Sequence, residues 1–201
     1  SYYTSTSGIG RPMEHFSRQS HRRVGVVGLG TGSMAAWSKA GDYFRIYEIN
    51  DTVERLARNR FTYLSDSPAQ VEVVMGDARL SMEREPDQRF DILVLDAFSS
   101  DAIPVHLLTQ EAFEIYQRHL QPDGVIAVHI SNRYLELQPI VLKIAAHFAF
   151  RTAIINNADT EWSEEEATGI PSYGSDWVLV TKNDKFLKLP AISGAASAPG
   201  K

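Results

Sequence analysis

Val24-Gly25-Val26-Val27-Gly28-Leu29-Gly30-Thr31-Gly32-Ser33 is the stretch that decides the fold. A β-branched run that breaks into alternate glycines reads as a buried parallel strand turning sharply into a helix. Gly28, Gly30 and Gly32 then stand where a side chain would keep a ligand off the backbone. The glycines alone would serve equally well as a plain tight turn. About twenty residues further on, however, Tyr47-Glu48-Ile49-Asn50 ends the next apolar run, and Glu48 there is placed to accept hydrogen bonds from two ribose hydroxyls. The two features together predict a nucleoside site.

Outward from this stretch, apolar runs at 24–28, 44–49, 71–75, 90–95, 124–130, 152–156 and 176–181 alternate with segments of helical spacing at 33–40, 51–60, 78–84, 109–120 and 134–149. Strands alternating with helices require right-handed crossovers. The expected fold class is therefore α/β, a doubly wound, mainly parallel seven-stranded sheet of Rossmann-like type with helices on both faces. Asp51 is expected to cap the second helix and Thr109 the fourth. Residues 1–22 read as a loop and short helix leading in, 23–186 as the domain, and 187–201, rich in small residues, as a disordered tail.

At 201 residues with 43% hydrophobic content, the chain suits one packed domain. A formal net charge of -5 leaves no basic footprint for a phosphate backbone, so nucleic acid is not an expected partner. The absence of cysteine excludes disulfides, zinc-thiolate sites and thiol nucleophiles. No apolar run reaches the length of a membrane span, and the expected setting is a soluble, cytoplasmic domain. Because the sequence opens on Ser1-Tyr2-Tyr3, a longer parent chain is expected.

In an open parallel sheet, ligands bind beyond the carboxyl ends of the strands, which directs attention to the residues just after each run. Asp77 follows Val71 to Met75 and can accept from an adenine amino group or cap the next helix, and one carboxylate can do both. Asp96 ends Phe90-Asp91-Ile92-Leu93-Val94-Leu95, with Asp101 five residues later. Such a pair can hold a cationic amine and take its proton, or Asp96 can satisfy loop backbone donors while Asp101 is solvated. His106 and His129 read as satisfied structural groups. No His, Asp and Glu spacing suggests a metal, and Ser99 and Ser100 lie outside any nucleophile elbow.

From about Tyr3 to Lys182 the chain resembles the spermidine synthase family of aminopropyltransferases, which shares the fold of class I S-adenosylmethionine-dependent methyltransferases. The resemblance is carried by Val27-Gly28-Leu29-Gly30-Thr31-Gly32, Tyr47-Glu48-Ile49-Asn50, Gly76-Asp77-Ala78, Asp91-Ile92-Leu93-Val94-Leu95-Asp96 and Leu120-Gln121-Pro122-Asp123-Gly124. Ile170-Pro171-Ser172-Tyr173-Gly174-Ser175 looks like that family's substrate loop, whereas the other pieces are shared with methyltransferases.

The resemblance implies displacement at a sulfonium carbon by an amine. The donor would be decarboxylated S-adenosylmethionine or S-adenosylmethionine itself, with no metal. Gly28, Gly30, Thr31 and Gly32 would cradle the donor, Glu48 the ribose, and Asp77 with Ala78 the adenine. Asp96, also at the donor, would bind and deprotonate the attacking amine, and Asp101, Tyr173 and Tyr3 would position the rest of a polyamine. A homodimer, and a membrane segment elsewhere in a longer chain, are further implications.

Thr31 stands where these synthases commonly carry an aspartate, the carboxylate loop is longer than the family's, and the family's N-terminal β-hairpin domain is absent from the sequence. A methyltransferase using the intact donor and a nucleoside-binding domain without catalysis therefore stand as alternatives.

Overall fold

The computed structural model describes residues 3–97, 104–132, 135–157 and 174–197. Its strands are β1 (Arg23–Val27), β2 (Tyr43–Glu48), β3 (Gln70–Met75), β4 (Phe90–Leu95), β5 (Leu120–His129), β6 (Arg151–Asn157), β7 (Ser175–Thr181) and β8 (Ala196–Ser197). The helices are α1 (Gly10–Phe16), α2 (Asp51–Arg60), α3 (Ala78–Arg84), α4 (Gln110–His119), α5 (Gln138–His147), α6 (Asp184–Leu187) and α7 (Pro190–Ser193).

One sheet runs β3-β2-β1-β4-β5-β7-β6-β8. The five strands β1 to β5 are parallel, whereas β7, β6 and β8 join antiparallel. Period-two alternation splits each central strand between two cores. Along β4, Ile92 and Val94 pack with Met13, Phe16 and Phe186 on one face, while Leu93 and Leu95 pack with Met82, Phe113 and Val141 on the other. Burial on both faces explains why these strands read as continuous apolar runs.

The α/β, mainly parallel class holds, with three differences of detail. The sheet has eight strands rather than seven, because the two residues of β8 pair with Ile154 and Ile155 of β6. Residues 187–197 of the segment expected as a tail carry α7 and β8 in this structure. Asn183 accepts from the Phe186 backbone N–H to start α6, and Phe186 and Ile192 are buried, two apolar anchors that the small-residue composition masks. The segment 33–40 is only a 3-10 turn over Ser33–Trp37. Just beyond it, Asp42 accepts the Lys39 backbone N–H and Ser38 pairs with Ser67, so local side-chain bonds draw the backbone out of helix.

Capping follows the chemistry expected, one residue displaced at α2. Asn50, not Asp51, accepts from Thr52 N–H, and Thr109 accepts from Ala112 N–H. The lead-in is anchored by Arg22, whose buried guanidinium donates to Asp42, to the Met13 carbonyl and to the Trp37 carbonyl. Trp37 in turn donates Nε1–H to the Tyr3 carbonyl at 3.1 Å, which brings the start of the chain to the sheet's carboxyl edge. Among the described residues, no helix is long and apolar enough to cross a membrane.

Candidate active site

A cavity of about 790 Å³ opens at that carboxyl edge, beyond the ends of β1, β2, β3, β4 and β5. Its position follows from topology. Chain crossovers leave β1 toward β2 on one side and reach β4 on the other, so a crevice forms between them. The turn after β1 is built for close approach. Gly28 has a φ of +99°, and a Cβ there would lie 2.4 Å from the Asp96 carbonyl oxygen, so glycine is required on both counts. Gly30, at φ +52°, lines the cavity with nothing within 4 Å of where its Cβ would be. Thr31 and Gly32 do not line the cavity. Thr31 is exposed, and a Cβ on Gly32 would meet Leu64 at 3.1 Å.

Beside the glycine turn, Glu48 is nearly buried, and its carboxylate is fixed by two backbone donors. Oε2 accepts from Leu29 N–H at 3.0 Å and Oε1 from Asn50 N–H at 2.8 Å. Each oxygen keeps a second lone pair for a ligand hydroxyl. Asp77 caps α3, with Oδ1 accepting from Leu80 N–H at 2.9 Å. Its Oδ2 lies 2.8 Å from His106 Nε2, on the turn Val105–Leu107. Ala78 lines the cavity next to it.

At the other end, Asp96 follows β4 directly and both of its oxygens are engaged. Tyr3 donates its phenolic hydrogen to Oδ2, and His129 Nδ1 lies 2.7 Å from Oδ1. His129, the last residue of β5, stacks on the Trp177 ring with centroids 4.6 Å apart and planes 10° off parallel. Asp176, next to Trp177 in β7, lines the same cavity, and its backbone N–H is accepted by Ser131 Oγ at 2.7 Å. Burial pushes the Asp176 carboxyl above the usual carboxylate range, opposed by the neighbouring His129.

The structure thus brings Gly28, Gly30, Glu48, Asp77, Ala78, Asp96 and Tyr3 to one cavity and leaves Thr31 and Gly32 outside its wall. Asp101 and Tyr173 fall outside the described residues. His106, His129 and Asp176 were not assigned to the site by sequence. His129 sits at the end of β5, which the strand-end rule does reach, whereas His106 lies on the turn Val105–Leu107, well past the end of β4. Asp176 lies at the start of β7, which is antiparallel, so its first residues rather than its last reach the site edge. Among the described residues, no three His, Asp or Glu side chains are grouped to hold a metal ion.

No family model matches the chain. Over 112 residues it is 30% identical to the polyamine aminopropyltransferase of Vibrio vulnificus, spanning 53% of this chain and 37% of that one. Also over 112 residues, it is 32% identical to the N-terminal histidine N-methyltransferase of Emericella nidulans, spanning 53% of this chain and 19% of that protein. The chain thus matches well under half the length of these relatives. Among solved structures, a spermidine synthase in complex with the transition state analogue AdoDATO superposes with a TM-score of 0.66 at 16% identity, covering 94% of this chain and 69% of that one. At such identity the likeness establishes the fold shared by spermidine synthases and class I methyltransferases.

Proposed function

We propose that this domain transfers an aminopropyl group from decarboxylated S-adenosylmethionine to an amine of a polyamine. The observation that carries the reading is the placement of Asp96, a nearly buried carboxylate at the end of β4 whose backbone abuts Gly28, in a cavity that also holds Glu48, Asp77 and Asp176. Four acids around one crevice suit a cationic donor and a cationic acceptor. The named likeness to a polyamine aminopropyltransferase agrees with it.

The donor would supply a sulfonium, already a good leaving group, so the protein's work is alignment, deprotonation and exclusion of water. The glycine turn lets the donor approach the backbone, Glu48 accepts from the ribose hydroxyls, and Asp77 accepts from the adenine amino group. Asp96 draws in the ammonium and takes its proton. The freed nitrogen lone pair forms the new N–C bond as the C–S bond breaks and its electron pair returns to sulfur, leaving a thioether. Asp101 and Tyr173 are proposed to hold the remainder of the acceptor.

Methyl transfer from the intact donor is the second reading, favoured by Thr31 at the family's aspartate position and by the methyltransferase relative of similar identity. A donor-by-acceptor assay with mass detection separates the two. Methylthioadenosine released with 1,4-diaminobutane and the decarboxylated donor is the expected result. Adenosylhomocysteine from the intact donor, with no methylthioadenosine under any amine, would overturn it in favour of methyl transfer.

A further inference from the structure

Asp96 is asked to act on an ammonium while already accepting two hydrogen bonds, and the one from β5 comes from a side chain that can itself become a cation. An ionised carboxylate carries no hydrogen, so the 2.7 Å contact requires His129 to donate from Nδ1. The ring has little freedom to leave. It is nearly buried, and its stack on the fully buried Trp177 fixes its plane. Among the described residues, the titratable groups around this imidazole are Asp96 at the end of β4, Tyr3 beyond it on the other carboxylate oxygen, and Asp176 from β7.

We propose that His129 is the positioning residue for Asp96. Its neutral ring donates Nδ1–H to hold the carboxylate toward the acceptor, and its protonated ring competes with the cationic amine for that same carboxylate. The inference rests on the reading that Asp96 receives the amine. It adds that acceptor binding is lost when acid adds a proton to the imidazole. Geometry sets the direction. One positive charge placed 2.7 Å from Oδ1 neutralises the group that attracts the ammonium.

Two replacements divide the possible roles of this ring. His129→Asn keeps a nitrogen donor close to the Nδ1 position and cannot be protonated, while His129→Phe keeps a ring for the Trp177 stack and donates nothing. Binding of 1,4-diaminobutane to the full chain saturated with methylthioadenosine is measured by calorimetry at pH 8.0 and pH 5.5. The wild-type affinity is expected to fall by about tenfold or more between the two, the size of one charge coupling of about a pK unit. His129→Asn is expected to show no such fall, and His129→Phe to bind weakly at both.

A fall in His129→Asn equal to the wild type's, or wild-type affinity in His129→Phe, overturns the proposal. If the wild type takes up no diamine at either pH, the amine reading fails on its own account. The imidazole 15N shifts of the ligand-free protein then decide the role of His129 separately. An Nδ1–H ring in the wild type that loses this preference in Asp96→Ala supports the clamp, and the same tautomer in both proteins removes it.

Discussion

At the end of the cavity proposed for the donor, Asp77 Oδ2 stands 2.8 Å from His106 Nε2, and at the end proposed for the acceptor, Asp96 Oδ1 stands 2.7 Å from His129 Nδ1. The two contacts are nearly equal in length and unequal in setting. His106 is 48% exposed on a short turn, whereas His129 is 9% exposed on the end of a central strand and stacked on Trp177. Water screens the first pair and lets its ring leave at little cost, so the adenine amino group of the proposed donor can displace it from Oδ2. The second pair is shielded, with each partner held by a further group, so its geometry is fixed before any ligand arrives. The difference teaches that one end of the cavity adapts to its ligand while the other is set in advance. That is the division expected when recognition happens at one end and proton transfer at the other.

The comparison breaks most visibly at Asp96. Asp96→Asn keeps the shape and one accepting oxygen for Tyr3 but removes the proposed proton acceptor. Turnover is expected to drop by about a hundred- to ten-thousand-fold, the usual contribution of a positioned base, with little change in thermal midpoint. Steady-state rates beside a melting curve check it, and a variant retaining a tenth of the wild-type rate would move the base elsewhere. Glu48→Gln should come next. The amide can accept on one side only and turns an N–H toward Leu29 N–H or Asn50 N–H, so donor affinity is expected to weaken by about ten- to a hundredfold, from the loss of one charge-assisted bond. Equilibrium dialysis with methylthioadenosine measures it without any turnover.

Asp176 sharpens the contrast in the opposite sense, because the prepared end of the cavity holds a carboxylate that burial disfavours. A raised carboxyl pKa means that the folded state binds the proton more tightly than the unfolded chain. Stability therefore falls as pH rises from the unfolded value through the folded one, and the full penalty is present above it. Asp176→Asn should raise the thermal midpoint at neutral pH, and the gain should vanish as pH falls below the ordinary carboxylate range. If acceptor binding weakens in the same variant, stability at this position has been given up for function. A neutral-pH midpoint unchanged or lowered would show the carboxyl to be satisfied by a partner other than His129.

The parallel half of the molecule was legible in the sequence because its central strands are buried on both faces, its edge strand β3 still carries a β-branched run, and its turns carry their own punctuation. Residues 51–60, 78–84 and 90–95 read off the sequence match α2, α3 and β4. The antiparallel end was less so. A two-residue strand such as β8 leaves no periodic signal, and the tail's order depends on where Phe186 and Ile192 land, which only tertiary packing decides. The site divides in the same way. Glu48, Asp77 and Asp96 follow parallel strands and obey the carboxyl-end rule. His129 also ends a parallel strand and His106 lies on a turn eleven residues past β4, but as lone histidines they carry no spacing that ties either to an aspartate far away in sequence. Asp176 needed the direction of β7, which no local pattern records.

The smallest effect is expected at the adaptable end. His106→Ala removes a partly exposed, screened partner and leaves Asp77 still capping α3 through Oδ1 and Leu80 N–H. Stability should change by no more than about 1 kcal/mol, the range of exposed ion pairs, and the change should shrink further in high salt. If Asp77 takes the adenine as proposed, donor affinity should rise slightly or stay level, since Oδ2 no longer has to be vacated first. The parallel substitution His129→Ala should cost far more in turnover than in folding. Steady-state rates, denaturant melts and methylthioadenosine binding on the two alanine variants, run side by side, test whether the pairs differ as their settings require. Equal losses in both would mean that His106 is held as firmly as His129, and that the end proposed for the donor is set in advance as well.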